Sequence, residues 1–428
     1  MMTFAISLFA VTYLALLVFP KYRAYIALVS AGIFVVSGIL PFGEVLGAVD
    51  WNVIMMIAGT MGIVSLFIES KMPALLADLI IEKMPNVKWA IIALALFAGI
   101  ISAFIDNVAT VLMVAPVAIT ISRKLKISPV NSIIAIAISS NLQGAATLVG
   151  DTTSILLGGH ADMNFLDFFA YKGRPGMFWV VQAGAFVSLF ALMFLFRKEK
   201  ENISNVDRAV VKDYFPTVLL SGTVLLLILA SLAPKDRMPP VVQDHVNGLI
   251  CMTLLASGLA YDVLKNRSRK AVERVLLEID YFTLLLLAGL FIVIAGITKA
   301  GVVEEISKLF VRVSGNDVFV IFSLIVWASV ILSAFIDNIP YVATMLPVAG
   351  SIAAQLGMDP TLLYFGLLTG ATLGGNLTPI GASANIAGLG ILRKEGYEVK
   401  ATHFMKISIP FTLAAVTTGY ILIWLIWA

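Results

Sequence analysis

Continuous apolar runs of about 17–21 residues recur along the whole 428-residue chain. Each is long enough to cross a bilayer as a helix. A β-barrel would alternate apolar and polar residues, and these runs do not. Charged residues make up only 13% of the chain, against roughly 25% in an average soluble domain. So little charge cannot clothe a soluble surface. This excludes a soluble enzyme, and with it a disordered chain, a coiled coil and a disulfide scaffold. The single cysteine, Cys251, falls inside an apolar run, so no internal disulfide forms. The expected fold class is an all-α polytopic membrane protein. Its surroundings are membrane lipid, and the net charge of +3 gives no basis for nucleic-acid binding. The first run carries neither the positive n-region nor the cleavage site of a signal peptide, so residues 3–19 read as the first span.

The chain repeats itself. Residues 102–107 read SAFIDN, and the same hexamer returns 231 residues later at 333–338. The phase persists downstream, with Pro116 matching Pro347, Gly144 matching Gly375, Thr147 matching Thr378 and Gly150 matching Gly381. Upstream, Asp50-Trp51 matches Asp280-Tyr281. Two homologous membrane repeats are expected, 1–205 and 206–428.

The first repeat holds spans near 3–19, 24–40 and 52–69. An amphipathic piece follows at 72–84, with Asp78, Glu82 and Lys83 opposite Leu75, Leu76, Leu79 and Ile80, as in an interfacial helix. Two apolar arms then join at Asp106-Asn107 (hairpin 88–122). A broken helix (131–158) follows, interrupted at 150–154, and then a span at 176–196. The second repeat has spans at 214–233, 246–263 and 280–298, a hairpin at 318–355, a broken helix (361–392) interrupted at 378–385, and a last span at 407–427. The arms read either as full spans or as re-entrant hairpins. Basic residues favour cytoplasmic segments, and this decides the choice. With hairpins, each repeat has five crossings and the two insert upside-down to one another. With both termini outside, 22 of the 29 Lys and Arg residues are then cytoplasmic. Only Lys172, Arg174, Lys235, Arg237, Lys299, Lys308 and Arg312 fall outside. The expected topology is therefore an inverted repeat in the inner (plasma) membrane. The basic cluster at Lys265–Lys270 is explained by the same topology.

Three acids stand inside the apolar framework: Asp106, Asp151 and Asp337. A charge at the bilayer centre costs about 2.5–3.5 kcal/mol on insertion scales, and such residues face cavities and handle ions. Asp106 and Asp337 share one hairpin position, whereas Asp151 faces Ala382 in the other repeat. The broken helices read GAATLVGDTTS and GNLTPIGASAN. Non-helical backbone at membrane depth lines a cavity or is buried in protein. Its free carbonyls hold cations, and the N–H groups of the next half-helix hold anions. Gly150, Pro379 and Gly381 lie in these breaks. Asn107, Thr110, Asn338 and Tyr341 flank the tip acids, and Asn141, Thr152, Thr153, Ser154, Thr378, Ser383 and Asn385 supply further oxygens. Sodium is the metal expected, at Asp106, Asn107, Asp337 and Asn338. The three histidines are too scattered for a metal cluster, and no Walker loop, GxSxG, HExxH or cysteine-pair zinc motif is present, so no enzyme is expected.

SAFIDN-x8-P in both halves, with GGNLTPIGASAN at 374–385, resembles the ion transporter superfamily. Within it, the nearest pattern is that of arsenite permeases, NhaD-type sodium/proton antiporters, the melanosomal P protein and citrate-transporter-like proteins. The segment at 150–154 is similar to that group's GDPPN stretch but lacks its prolines and asparagine. The resemblance implies hairpin tips and broken helices meeting at a midplane site, and secondary active transport coupled to H⁺ or Na⁺ without other cofactors. It also implies a homodimer, with an elevator-like movement in the dicarboxylate relatives, and a cytoplasmic ATPase subunit as partner if the chain is an arsenite pump. The dicarboxylate relatives carry Ser-Asn-Thr at the tips. Asp-Asn here suits Na⁺, H⁺ or a neutral species such as arsenous acid. The expected function is cation-coupled transport of a small inorganic ion in the arsenite/antimonite-permease style. Na⁺/H⁺ antiport, sodium-coupled di- or tricarboxylate transport and an ion channel stand as alternatives.

Overall fold

The computed structural model describes residues 1–125, 127–199, 201, 208–234, 239–267 and 270–428. Lys126, Lys200, Lys235, Arg237 and Arg269 of the basic count lie outside the described residues. The first half holds α1 (Met2–Val18), α2 (Arg23–Val36), α3 (Val45–Ala48), α4 (Trp51–Glu69), α5 (Met72–Ile81), α6 (Val87–Ser102), α7 (Asn107–Leu125), α8 (Val130–Gly144), α9 (Thr152–His160) and α10 (Met177–Leu195). The second holds α11 (Phe215–Leu232), α12 (Pro240–Asn266), α13 (Lys270–Glu278), α14 (Tyr281–Lys299), α15 (Val302–Ser314), α16 (Val318–Ser333), α17 (Asn338–Leu356), α18 (Thr361–Gly374), α19 (Ser383–Lys394) and α20 (Ala401–Trp427). A two-stranded ribbon, Ala170–Tyr171 with Arg174–Pro175, precedes α10.

The repeat is written in the caps as well as in the spans. Asp50 accepts the Val53 N–H at 3.0 Å to start α4, and Asp280 accepts the Thr283 N–H at 3.0 Å to start α14. Asn86 caps α6 and Asp317 caps α16. Such caps satisfy helix N–H groups that have no intrahelical acceptor. Lys71 (φ 62°) and Gly301 (φ 80°), at matched positions, turn the chain into α5 and α15.

The halves are interlocked: α2 packs on α14, and α12 on α4. Lipid tails give little drive for helix association, so close backbone approach at small residues carries it. A Cβ at Gly59 would lie 2.6 Å from Cys251 Cβ, and one at Gly289 would lie 2.8 Å from the Ala27 carbonyl carbon. Outward-facing apolar side chains on α10, α11 and α20 remain exposed, as lipid contact requires.

Among the described residues, seven helices are long and apolar enough to cross a membrane: α4, α10, α11, α12, α14, α17 and α20. α17 nevertheless belongs to a hairpin. The turn that joins it to α16 starts at Ser333-Ala334, both buried against the second broken helix. α1 and α2 meet at 112°, and α2 ends at Val36, short of the expected residue 40, where Gly38 takes φ 74°.

Three further expectations are corrected. The first break runs from Ala145 to Asp151, so Thr152, Thr153 and Ser154 form the first turn of α9. The second break is 378–382, preceded by a 3-10 turn at Gly375–Leu377. Asp78 is not on a solvated face of α5. It is buried and accepts the Ala209 N–H at 2.8 Å, holding the inter-repeat segment down.

Candidate transport site

Each hairpin tip is stapled to the broken helix of its own half by a matched threonine and by a serine that differs between the halves. Thr147 Oγ1 donates to the Ala103 carbonyl, and Thr378 Oγ1 donates to the Ala334 carbonyl. Ser140 Oγ donates to the Asn107 carbonyl at 2.9 Å, and Ser333 Oγ to the Ala371 carbonyl at 2.5 Å. The backbones touch at Gly150 and Gly381, where only glycine leaves room. Above Gly150 crowd the carbonyl oxygens of Gly144, Ala103 and Ser102, and above Gly381 those of Gly375, Ala334 and Ser333. Inside each break, Ser154 Oγ donates to the Gly144 carbonyl (3.1 Å), and Asn385 Nδ2 donates to those of Gly375 and Thr378 (3.1 Å each).

The acids sit at helix N-termini facing this junction, where free N–H groups favour negative charge. Asp106 accepts the N–H groups of Val108 (3.0 Å) and Ala109 (3.1 Å). Asp337 accepts the Ile339 N–H at 3.0 Å. Asp151 caps α9 through the Thr152 N–H (2.8 Å) and takes the Thr153 hydroxyl (2.9 Å). Asp106 and Asp151 line one cavity together with Asn338, the neighbour of Asp337.

A cavity of about 410 Å³ opens onto Asp106 and Asp151, and Asp337 stands outside its lining. It is lined by Asp106, Asn107, Asp151, Thr152, Asn338 and Ser383 of the sequence-derived set, together with Arg23, Ser65, Glu278 and Asp280. The structure brings those six expected residues to one space. The others stand behind its wall. Thr110 donates to the Asp106 carbonyl of its own helix. Tyr341 contacts Ser329 within its hairpin. Asn141 accepts from Asn107 (2.9 Å) and donates to the Thr372 carbonyl (2.9 Å) and Asn376 Oδ1 (3.1 Å), clamping α8 to α18. Gly150, Thr153, Ser154, Thr378, Pro379, Gly381 and Asn385 shape the breaks without lining the cavity.

Three charged lining residues, Arg23, Glu278 and Asp280, lie outside the sequence-derived set. Asp280 had a signal, its match to Asp50. Glu278, which accepts from Ser65, and Arg23 had none. Arg23 read as a loop cation, yet it forms an ion pair with Asp337, and both side chains are mostly shielded (19% and 17% exposed).

A second cavity, about 100 Å³, opens beside Asp50, the counterpart of Asp280, and is lined from both halves by Asn52, Gly159, Asp244 and Asn247 among others. The two cavities differ in closure. A Cβ at Gly159 of α9 would lie 2.4 Å from Asp50 Oδ2, whereas at Gly390, its counterpart on α19, nothing stands within 4 Å. α9 is docked on the start of α4, and α19 stands off the start of α14. The structure is thus open on the Asp280 side and closed on the Asp50 side.

Known proteins agree with this architecture. Residues 13–370 match the family model described as CitMHS, citrate transporter. An uncharacterized transporter of Mycobacterium tuberculosis (strain CDC 1551 / Oshkosh) is 30% identical, covering 98% of both chains. The human P protein is 26% identical over 97% of this chain and 59% of its own length. Among solved structures, the Alcanivorax borkumensis YdaH transporter superposes with a TM-score of 0.59 at 16% identity, covering 89% of this chain and 87% of that one. That likeness speaks for the fold alone. Paired hairpins, paired broken helices and a family match over most of the length together make this chain a member of the CitMHS citrate transporter family, a multi-pass membrane transporter built as an inverted repeat.

Proposed function

We propose that the protein is a cation-coupled secondary active transporter of a small inorganic species, with Na⁺ or H⁺ as coupling ion and Asp106 and Asp151 as the carboxylates that take it. The observation that carries this reading is the charge of the cavity. Asp106, Asp151, Glu278 and Asp280 line it, and Arg23 is the one basic lining residue among those described. Intramembrane carboxylates facing such a space mark ion pathways. A free citrate trianion would meet like charges on most sides and would enter only with its charge offset by bound cations. A cation or a neutral hydroxide such as arsenous acid meets no such barrier. Arg23 Nε is buried without a partner, a donor that an oxygen-bearing cargo would satisfy. The same acidic lining favours a second reading, Na⁺/H⁺ antiport, in which the cargo is Na⁺ itself.

In this reading the chain lies in the inner membrane with both termini outside, works without a cofactor, and pairs as a homodimer; a cytoplasmic ATPase subunit joins it only if arsenite is the cargo. Cysteines placed at Lys265 and Lys308 then label from opposite membrane faces. The deciding experiment is flux in proteoliposomes with arsenite, antimonite, Na⁺, Li⁺ and citrate, each under an imposed proton or sodium gradient. Saturable, gradient-dependent flux of an inorganic species supports the proposal. Flux that neither saturates nor follows a counter-gradient points to a channel, and citrate-only flux points to the carboxylate reading.

A further inference from the structure

The two hairpin tips are alike in shape and unlike in charge. At tip two, Asp337 is paired with Arg23. Arg23 does not belong to that hairpin or to its half; it begins α2, which packs on α14. At tip one, Asp106 is joined by Asp151, whose counterpart at tip two is Ala382. Among the described residues neither Asp106 nor Asp151 makes an ion pair.

Packing identifies the position matched to Arg23. Gly59 touches Cys251, and its counterpart Gly289 touches Ala27. Likewise Gly296 touches Phe34, while Leu66, the counterpart of Gly296, touches Gly258. Both pairs relate α2 to α12 by 224 residues (251 less 27, and 258 less 34). Asn247 therefore stands where Arg23 stands. It is neutral and buried. Tip one holds two carboxylates with no tethered cation, and tip two holds one carboxylate with a guanidinium.

We infer that Arg23 is a tethered substitute for a coupling cation: it fills the charge requirement at Asp337, so that a mobile cation binds only at the Asp106–Asp151 side. A guanidinium stays protonated at any physiological pH, so this charge is never released to either compartment. The cycle then carries one cation fewer than two equivalent tips would demand. A guanidinium also holds the tip in a fixed geometry that a hydrated mobile ion does not. The inference rests on the cation-coupled reading above and deepens it by fixing which of the two pseudo-equivalent sites is exchangeable.

The test counts cations on the purified full-length protein. Radiolabelled Na⁺ retained at equilibrium dialysis is measured and, in its absence, the protons taken up on acidification. Arg23→Gln is expected to hold one more monovalent cation than wild type, because Asp337 then takes a mobile ion. Arg23→Lys is expected to match wild type, and so is the double variant Arg23→Gln/Asp337→Asn, which removes both charges. An Arg23→Gln count equal to wild type overturns the assignment and leaves Arg23 as a latch between α2 and the hairpin. Should Arg23→Gln fail to fold, Arg23→His decides: one more Na⁺ than wild type at alkaline pH, where the imidazole is neutral, upholds the assignment, and the wild-type count there overturns it. A wild type that takes up neither ion sinks the cation-coupled reading, whereas the difference between Arg23→Gln and wild type still judges Arg23.

Discussion

Replacing Gly150 by alanine tests whether the hairpin tip is docked on the broken helix as described. The new Cβ would lie 2.7 Å from the Gly144 oxygen and 2.9 Å from those of Ala103 and Ser102. Ordinary contact begins at 3.4 Å, so these oxygens must withdraw by several tenths of an ångström. All are backbone atoms of two different segments, and none can rotate away. Overpacking of this kind costs about 1–3 kcal/mol. Separating the segments also weakens the Thr147 bond to the Ala103 carbonyl, a further loss of about 1 kcal/mol. The expected total, on the order of 2–4 kcal/mol, is at the upper end for one substitution. Gly381→Ala is expected to cost the same, because its Cβ would lie 2.7–2.8 Å from the oxygens of Ala334, Gly375 and Ser333. Gly32→Ala in α2, where nothing stands within 4 Å, serves as the control and should be neutral or slightly stabilising. The assay is thermal unfolding of the purified protein in detergent, read beside gradient-driven flux. If Gly150→Ala and Gly381→Ala melt with the control and transport normally, the tips are not docked there.

The remaining predictions concern charge and movement. Asp337→Asn should lower the melting temperature more than Asp106→Asn, because only the former strands a cation, Arg23; for this mostly shielded pair the cost lies between the ~1 kcal/mol of an exposed pair and the ~3 kcal/mol of a fully buried one, and equal melting shifts would contradict the pairing. Asp151→Asn should leave expression and melting near wild type, since asparagine also caps helices, while changing the Na⁺ or pH dependence of transport; an unchanged ion dependence at full activity removes Asp151 from the coupling site. Cysteines at Gly159 and Asp50 should cross-link in the state described here. Cysteines at Gly390 and Asp280 should cross-link only when the opposite cavity closes, and a failure of that second pair under every gradient would argue against a reciprocal movement.

Much of this architecture was legible in the sequence because it is written twice. The repeated SAFIDN marks both tips, and the matched glycines mark both breaks. The ends of the breaks were not legible. Ala145, Ala146 and Leu148 are good helix formers, and they leave the helix because Thr147 is bonded to a carbonyl of the hairpin. That is a tertiary effect without a local signal. α15 has no counterpart among the expected elements, although it matches α5: Glu304, Glu305, Lys308 and Arg312 interrupt its apolar content. Arg23 was hidden by distance: it meets Asp337 across 314 residues of chain, and near the end of an apolar run a basic residue reads as a topology anchor. The structural part played by Asn141 has no signal in the sequence either: both of its amide hydrogens are committed to clamping α8 to α18.

The measurement that bears most directly on the account is gradient-driven flux of the Asp106→Asn protein reconstituted beside wild type. Asp106 lines the cavity, makes no ion pair among the described residues and caps α7 through groups that asparagine can also reach. The account predicts a folded, membrane-inserted variant whose saturable flux no longer responds to an imposed sodium or proton gradient. Wild-type coupled flux from Asp106→Asn would contradict it, because the carboxylate on which coupling is placed would then be dispensable.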